Sequence, residues 1–479
     1  MKENSLKQKT KTGLYWKFFE QCSTYGMQFV VGIIMARLLT PSDFGITAIP
    51  TIFITIAQVF IEGSFGLALI RKKEVTESDL STAFFYSVGI GILLYILIFF
   101  AAPYIAGFYE IPVLTPLIRV TAVIFIWNPL NTPQMVLLNR KLDFKTPAKI
   151  SIMNKLVSAI LGISTAYMGY GLWALVISSL SASFFGVLQT WMAVRWVPRK
   201  CFSIESFRYL WDFGNKLMGA NLLNTLYANI VPIIVGKTSG TYDLGNLNRA
   251  RQFASLPSAN FTGALNSVTF PVLSKIQDDD ELFAKQYRRI IKVSSFIVFP
   301  VMMILSALAH PLVVSLLTEK WSGCIILLEI MCFTYMFQPV QILNLNLLEI
   351  KGRTDLSLKL EIVKKILFTI AILLAVQYGL IILCVVDFFL TMIALFFNTY
   401  YTGKLINVGY LKQVKDFLPS LILSIIVMLA VRLICMLLDS NVMALFWGTL
   451  IGISLYYGLA WILNFEEIED VKYLIKINR

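Results

Sequence analysis

The chain has 479 residues, 57% of them hydrophobic and 14% charged, with a mean hydropathy of +0.73. Such a composition excludes an ordinary soluble domain and identifies a polytopic membrane protein. The net charge of +13 is spread over short loops rather than gathered on one basic face, which excludes nucleic acid as a partner.

Apolar runs of roughly 20 residues, enough to cross about 30 Å of hydrocarbon, begin near Gly13, Phe44, Thr82, Val113, Lys149, Leu172 and Phe207. Others begin near Leu244, Ile290, Cys324, Leu358, Leu380, Phe417 and Val442, which predicts about 14 transmembrane helices. The first run follows the basic stretch MKENSLKQKTKTG with no small-residue cleavage site, so it reads as an uncleaved helix. With the N-terminus inside, the segments 1–17, 71–73, 140–155, 195–208, 275–292, 351–365, 404–415 and 472–479 are cytoplasmic. They hold all of the 41 Lys and Arg except Arg37, Arg119, Lys216, Lys237, Arg249, Arg251, Lys320 and Arg432. The positive-inside rule therefore places both termini in the cytoplasm.

Charges inside spans are costly and normally face a partner or a watery cavity. Span one carries Glu20 and, at its outer end, Arg37; span two carries Glu62 and Pro50. Span seven carries Lys216, Asn221, Asn224, Asn229, Pro232 and, at its outer end, Lys237. Span eight includes the stretch DLGNLNRARQFASLP at 243–257, with Arg249, Arg251 and Pro257, followed by Asn260. At about 1.5 Å per residue, Glu20, Glu62 and Lys216 lie roughly 10–14 Å above the inner surface, and the two arginines about 8–11 Å below the outer one. These four helices are the expected walls of a polar passage. Two other readings stand beside it: Arg37 and Lys237 can snorkel to headgroups, and Glu20, Glu62 and Lys216 can form a buried ion network. Arg119, Glu329 and Asp387 read as structural or interfacial charges.

The chain repeats itself. Residues 31–45 (VGIIMARLLTPSDFG) align without gaps to 231–245 (VPIIVGKTSGTYDLG), and 129–141 (PLNTPQMVLLNRK) to 339–351 (PVQILNLNLLEIK). Each copy holds six spans, so both enter the membrane in the same direction. The expected fold is an all-α polytopic membrane protein with two parallel, pseudo-symmetric six-helix lobes, 1–200 and 201–405. Two further helices and a cytoplasmic tail occupy 406–479. Such duplicated bundles suit alternating access around a shared site.

Catalytic machinery is scarce. The single histidine, His310, precedes Pro311 at the outer end of span nine, where it reads as an interfacial turn residue. Gly236-Lys237-Thr238 lacks the leading glycine of a phosphate-binding loop, since position 231 is Val231. The six cysteines show no metal or redox spacing. Neither an enzyme, a metal nor a cofactor is expected, and energy must come from a gradient, with a proton or sodium as coupling ion, or from the substrate itself.

Several motifs together resemble the polysaccharide-transport family of Wzx-type flippases: YWKFFEQ at 15–21, ARLLTPSDFGI at 36–46, GLALIRKKEVTESDLS at 66–81, DLGNLNRARQFASLP, FPVLSKIQDD at 270–279 and EKWSG at 319–323. That family lies within the superfamily of multidrug extruders and the lipid II flippase. The resemblance implies a multi-pass protein of the bacterial inner membrane that moves an undecaprenyl-diphosphate-linked oligosaccharide to the outer leaflet, for O-antigen, capsule or exopolysaccharide. It also implies a polysaccharide polymerase and chain-length machinery as partners. In the family's span-eight pattern Leu244, Gly245, Arg249 and Ala250 match, while Leu247 replaces an aromatic residue. Arginine's fork suits a diphosphate, and the span-seven and span-eight asparagines suit sugar hydroxyls. Arg249 and Arg251, two residues apart, point about 200° from each other, and the pattern selects Arg249. The expected substrate-binding set is thus Arg249, Arg251, Lys216, Arg37, Glu20, Glu62, Asn224 and Asn260. The competing readings are a drug or metabolite exporter of the same superfamily and, from another class, a membrane-embedded polysaccharide polymerase or acyltransferase.

Overall fold

The computed structural model describes residues 2–63, 65–199 and 201–470. Lys200 and the basic tail 472–479, both assigned above to the cytoplasm, lie outside the described residues. The first half comprises α1 (Lys2–Leu38), α2 (Pro41–Glu62), α3 (Phe65–Arg71), α4 (Glu77–Tyr109), α5 (Leu114–Thr121), α6 (Ile124–Trp127), α7 (Thr132–Arg140), α8 (Lys145–Tyr167), α9 (Trp173–Val194) and α10 (Ile204–Thr238). There follow α11 (Gly240–Lys275), α12 (Asp280–Ala307), α13 (Ala309–Leu317), α14 (Gly323–Tyr335), α15 (Gln338–Ile350), α16 (Thr354–Ala375), α17 (Leu380–Ile406), α18 (Tyr410–Met436) and α19 (Asn441–Ile462). No strand occurs among the described residues.

Every predicted apolar run coincides with helix. By length and hydropathy, ten helical rods among the described residues are able to cross a membrane. The helices of runs one, four, eight and eleven do not meet that standard. Run four is interrupted at Ala122–Val123 and again around Pro129 and Pro133, which leaves α5, a short α6, a 3-10 turn at Asn128–Asn131 and α7. Run eight is diluted by the polar stretch that opens α11. His310 also differs from expectation: it is the second residue of the short helix α13, exposed, rather than part of a loop.

Local signals explain the helix ends. In TPSDFG, Thr40 caps α2: its hydroxyl accepts from Asp43 N–H while the Asp43 carboxylate accepts from Thr40 N–H, with Pro41 as first helical residue. In VTESDL, Thr76 and Asp79 form the same box at α4, and the buried Asp79 also pairs with Lys72 at 2.8 Å.

Contacts divide the chain into two compact units, Met1–Gly245 and Asn246–Arg479. In the first, Phe65, Leu69, Leu80, Val136 and Leu210 form a buried cluster. α8 packs along α9 through small residues: a Cβ on Gly162 would lie 2.8 Å from Ser178 Cβ, and Ser158 and Ser178 share a hydroxyl contact at 2.8 Å. Close approach of this kind drives helix association where lipid is as apolar as leucine. Large apolar side chains such as Phe100 and Tyr104 on α4 point outward.

In the second unit, Phe296, Ile304, Val427, Val431 and Tyr456 bring α12, α18 and α19 together. The same unit holds a polar network. Asn344 and Gln413 exchange two amide hydrogen bonds of 2.9 Å, and Thr402 donates to Asn344 at 2.7 Å. Arg288 clasps Asp416 through Nε at 2.8 Å and Nη2 at 2.7 Å.

Candidate functional site

The first unit contains a cavity of about 780 Å³, within the ~300–1,000 Å³ range of small-molecule sites. Its walls come from α2, α6 and the following turn, α8, α9 and α10. Helical spacing sets the polar faces. Thr55, Gln58 and Glu62 line it from α2, and Asn221, Asn224 and Thr225 from α10, at the three- and four-residue steps that share one face of a helix. Ser151, Asn154 and Lys155 do the same from α8, and Ser179 and Ser183 from α9.

Two features fix this geometry. Trp127 Nε1 donates to Ser183 Oγ at 2.8 Å, and Ser183 in turn donates to Asn128 Oδ1, which ties α6 to α9 at the cavity wall. Gln189 Nε2 donates to Asn154 Oδ1 at 3.1 Å, and Gly186 leaves room for the Asn154 amide, 2.8 Å from where a Cβ would stand.

The second span breaks where it meets the cavity. α2 ends at Glu62 with Gly63 in a left-handed conformation (φ 50°), and α3 resumes at Phe65. α10 reaches this break through Gly214, whose missing Cβ would lie 2.5 Å from the Gly63 carbonyl oxygen. Farther down, Arg140 donates to the carbonyls of Leu69 and Lys73, both at 2.9 Å, and so holds the end of α3. Interrupted spans occur in membranes where they are buried in protein or line a cavity. The Gln58 amide donates to Glu62 at 3.1 Å.

A second cavity of about 540 Å³ lies beside the first and shares Ser151 and Asn154 with it. Glu20 lines it, paired at 3.0 Å with Lys17.

The expected site residues are thus distributed unevenly. Glu62 and Asn224 meet in the larger cavity and Glu20 lines the smaller. Lys216 is exposed on α10 and lines neither. Arg37 is exposed in the last turn of α1, and its repeat counterpart Lys237 pairs with Glu110 at 2.7 Å.

In the second unit, Arg249 is 7% exposed, donates from Nη1 to Gln252 at 2.8 Å and lies 5.1 Å from the centre of the Trp321 ring. Arg251 instead interacts electrostatically with Asp387 and Tyr335. The two arginines thus face different partners, as their spacing requires. Asn260 is exposed on α11.

Asn128, Ser151, Asn154, Lys155 and Ser183 were absent from the expected set. Ser151, Asn154, Lys155 and Ser183 lie on small polar faces of spans five and six, at steps of three and four residues, while Asn128 belongs to the turn that breaks run four. Charge alone does not pick out these faces, because amides and hydroxyls are neutral, and Lys155 closes the segment 140–155 read above as cytoplasmic, whereas it lies within α8 and lines the cavity. Among the described residues no cluster of His, Cys, Asp and Glu could hold a metal ion, and the six cysteines are free.

The fold and sequence have clear relatives. The protein is similar to the lipid II flippase MurJ in an inward closed conformation, with a TM-score of 0.75 at 17% identity over 93% of this chain and 98% of that one. It is also similar to an inward-facing multidrug resistance transporter of the MATE family, with a TM-score of 0.59 at 15% identity over 81% and 96%. At these identities the likeness establishes the fold.

In sequence, the chain is 26% identical to the teichuronic acid biosynthesis protein TuaB of Bacillus subtilis, over 78% of each chain. It is 25% identical to the lipopolysaccharide biosynthesis protein WzxC of Escherichia coli, over 78% of this chain and 76% of that one. The succinoglycan biosynthesis transport protein ExoT of Rhizobium meliloti is 24% identical over 64% and 62%. Residues 34–326 match the family described as polysaccharide biosynthesis protein, and with more than half of its length matched the chain belongs to that family.

Proposed function

We propose that the protein is a flippase that carries an undecaprenyl-diphosphate-linked oligosaccharide repeat unit from the inner to the outer leaflet of the bacterial inner membrane. The observation that carries this reading is the 780 Å³ cavity into which five helical segments turn amides and hydroxyls, beside Glu62 and Lys155. These groups match sugar hydroxyls, which both donate and accept. The names of TuaB, WzxC and ExoT, and the MurJ-like fold, support a substrate built for cell-surface polysaccharide.

In this account the lobes 1–200 and 201–405 alternate access, 406–479 adds two helices, and both termini stay in the cytoplasm. The protein performs no covalent chemistry. Arg249, with Arg251, Lys216 and Arg37, supplies cations for the diphosphate, while Glu62, Glu20, Asn224 and Asn260 meet the glycan. A proton or sodium gradient drives the cycle, and a polymerase with its chain-length machinery consumes the product.

The test is deletion of the gene in its own host. Loss of surface polysaccharide with build-up of lipid-linked repeat units supports the reading. Unchanged polysaccharide, or drug sensitivity as the sole phenotype, rejects it.

A further inference from the structure

The walls of the larger cavity hold one carboxylate, Glu62, and one ammonium, Lys155. The other polar groups there are amides and hydroxyls. Glu62 is engaged by the neutral Gln58 amide at 3.1 Å rather than by a cation. It also stands at the C-terminal end of α2, where the helix dipole adds partial negative charge. The adjoining cavity repeats the balance, with Lys17 and Glu20 paired across 3.0 Å.

Consider what such a cavity does to an acidic sugar. A carboxylate that leaves water must be paired and hydrogen-bonded to be tolerated. Here the single ammonium is offset by Glu62 and a helix end, so the side chains lining the cavity bring no net positive charge to an incoming anion. An uncharged sugar meets a different wall. Each hydroxyl both donates and accepts, and each asparagine supplies two donors and an acceptor. Discrimination of this kind comes chiefly from the groups that the wrong substrate leaves unpaired.

We propose that this cavity is a glycan subsite selective for an uncharged repeat unit, and that Glu62 is the specificity-determining residue that turns away uronic acids and other anionic sugars. The inference rests on the lipid-linked oligosaccharide reading above and deepens it. The cations that serve the diphosphate lie elsewhere in the chain.

The experiment uses full-length protein in proteoliposomes and two fluorescent probes. One is undecaprenyl diphosphate carrying a neutral trisaccharide; the other is the same lipid with one hexose replaced by its uronic acid. Translocation is read from quenching by a membrane-impermeant reductant. Wild type is expected to move the neutral probe at least about tenfold faster, well within the discrimination that unpaired buried polar groups can supply. Glu62→Gln narrows that ratio by speeding the acidic probe, and Lys155→Gln widens it.

Equal wild-type rates for the two probes overturn the specificity and leave the flippase reading standing. An unchanged ratio in Glu62→Gln, with that variant shown to be folded by its melting temperature, overturns the role of Glu62. Movement of neither probe by folded wild-type protein rejects the flippase reading, and this inference with it.

Discussion

Gly45 and Gly245 stand in reciprocal positions at the starts of α2 and α11. A Cβ on Gly45 would lie 1.8 Å from the carbonyl oxygen of Thr241, and one on Gly245 would lie 1.9 Å from that of Pro41. In the alignment of 31–45 with 231–245, Gly45 matches Gly245 and Pro41 matches Thr241. Each glycine therefore meets the carbonyl that corresponds to the one its counterpart meets. The two helix starts touch backbone to backbone, an approach that only glycine allows.

Gly45→Ala and Gly245→Ala should each push these helix starts apart, at the ~1–3 kcal/mol typical of overpacking. The melting temperature of purified protein checks this. The double variant should cost less than the sum of the two, because either methyl already opens the gap that the other needs.

Glu110 and Lys237 give a pH-dependent prediction. The hydrogen bond from Lys237, and then its charge, hold the Glu110 carboxyl below the usual glutamate range. A carboxyl with a lowered folded value stabilises the protein above its unfolded value, and that contribution is lost as pH falls through the folded one. Melting curves of wild type and Glu110→Gln should differ slightly at neutral pH, since the pair is exposed, and converge in acid. A gap that widens in acid would contradict the pairing.

The Asn344–Gln413–Thr402 network predicts an asymmetry. Asn344→Leu removes the donor to Gln413 Oε1, at a cost of about 1–3 kcal/mol for a buried group left unsatisfied, while Gln413 Nε2 and Thr402 keep their bonds to the carbonyls of Val408 and Asn398. Asn344→Leu combined with Gln413→Leu should recover part of that loss. Chemical denaturation in detergent would show it, and a double variant worse than the sum would refute the network as described.

Arg249 presents a sharper case, because it is buried against Trp321 and bonded to Gln252. If it serves the diphosphate, Arg249→Gln reaches the membrane at wild-type level and yields no surface polysaccharide. Arg249→Lys then fails to rescue, since a point charge does not replace a planar fork. Normal polymer from Arg249→Gln would leave the residue a packing role alone.

The sequence announced the helices, because apolar runs and the capping boxes at Thr40 and Thr76 are local signals. It announced the polarity of α11 for the same reason. The cavity was half legible. Glu62 and Asn224 stood out as polar groups in spans two and seven, the helices singled out for charge and repeat. Asn128, Asn154 and Ser183 did not, because they are neutral and lie outside the four helices singled out for charge, and only packing shows that they converge. The break after Glu62 was hidden as well, since a glycine in an apolar run is equally compatible with continuous helix. Arg249 and Arg251 were told apart by helical geometry, but the Trp321 ring that covers Arg249 lies about seventy residues away and gives no local hint.

Passage of a lipid-linked glycan through the polar cavity of the first unit can be read in cells. The most direct measurement is the outer-leaflet exposure of the host's own lipid-linked repeat unit in spheroplasts lacking the polymerase, labelled with a membrane-impermeant oxidant. Depletion of the protein should reduce labelling to background, and wild type should restore it, while the combined Asn221→Leu and Asn224→Leu variant at equal membrane abundance should not. Labelling that persists after depletion, or full restoration by the double variant, would contradict the account.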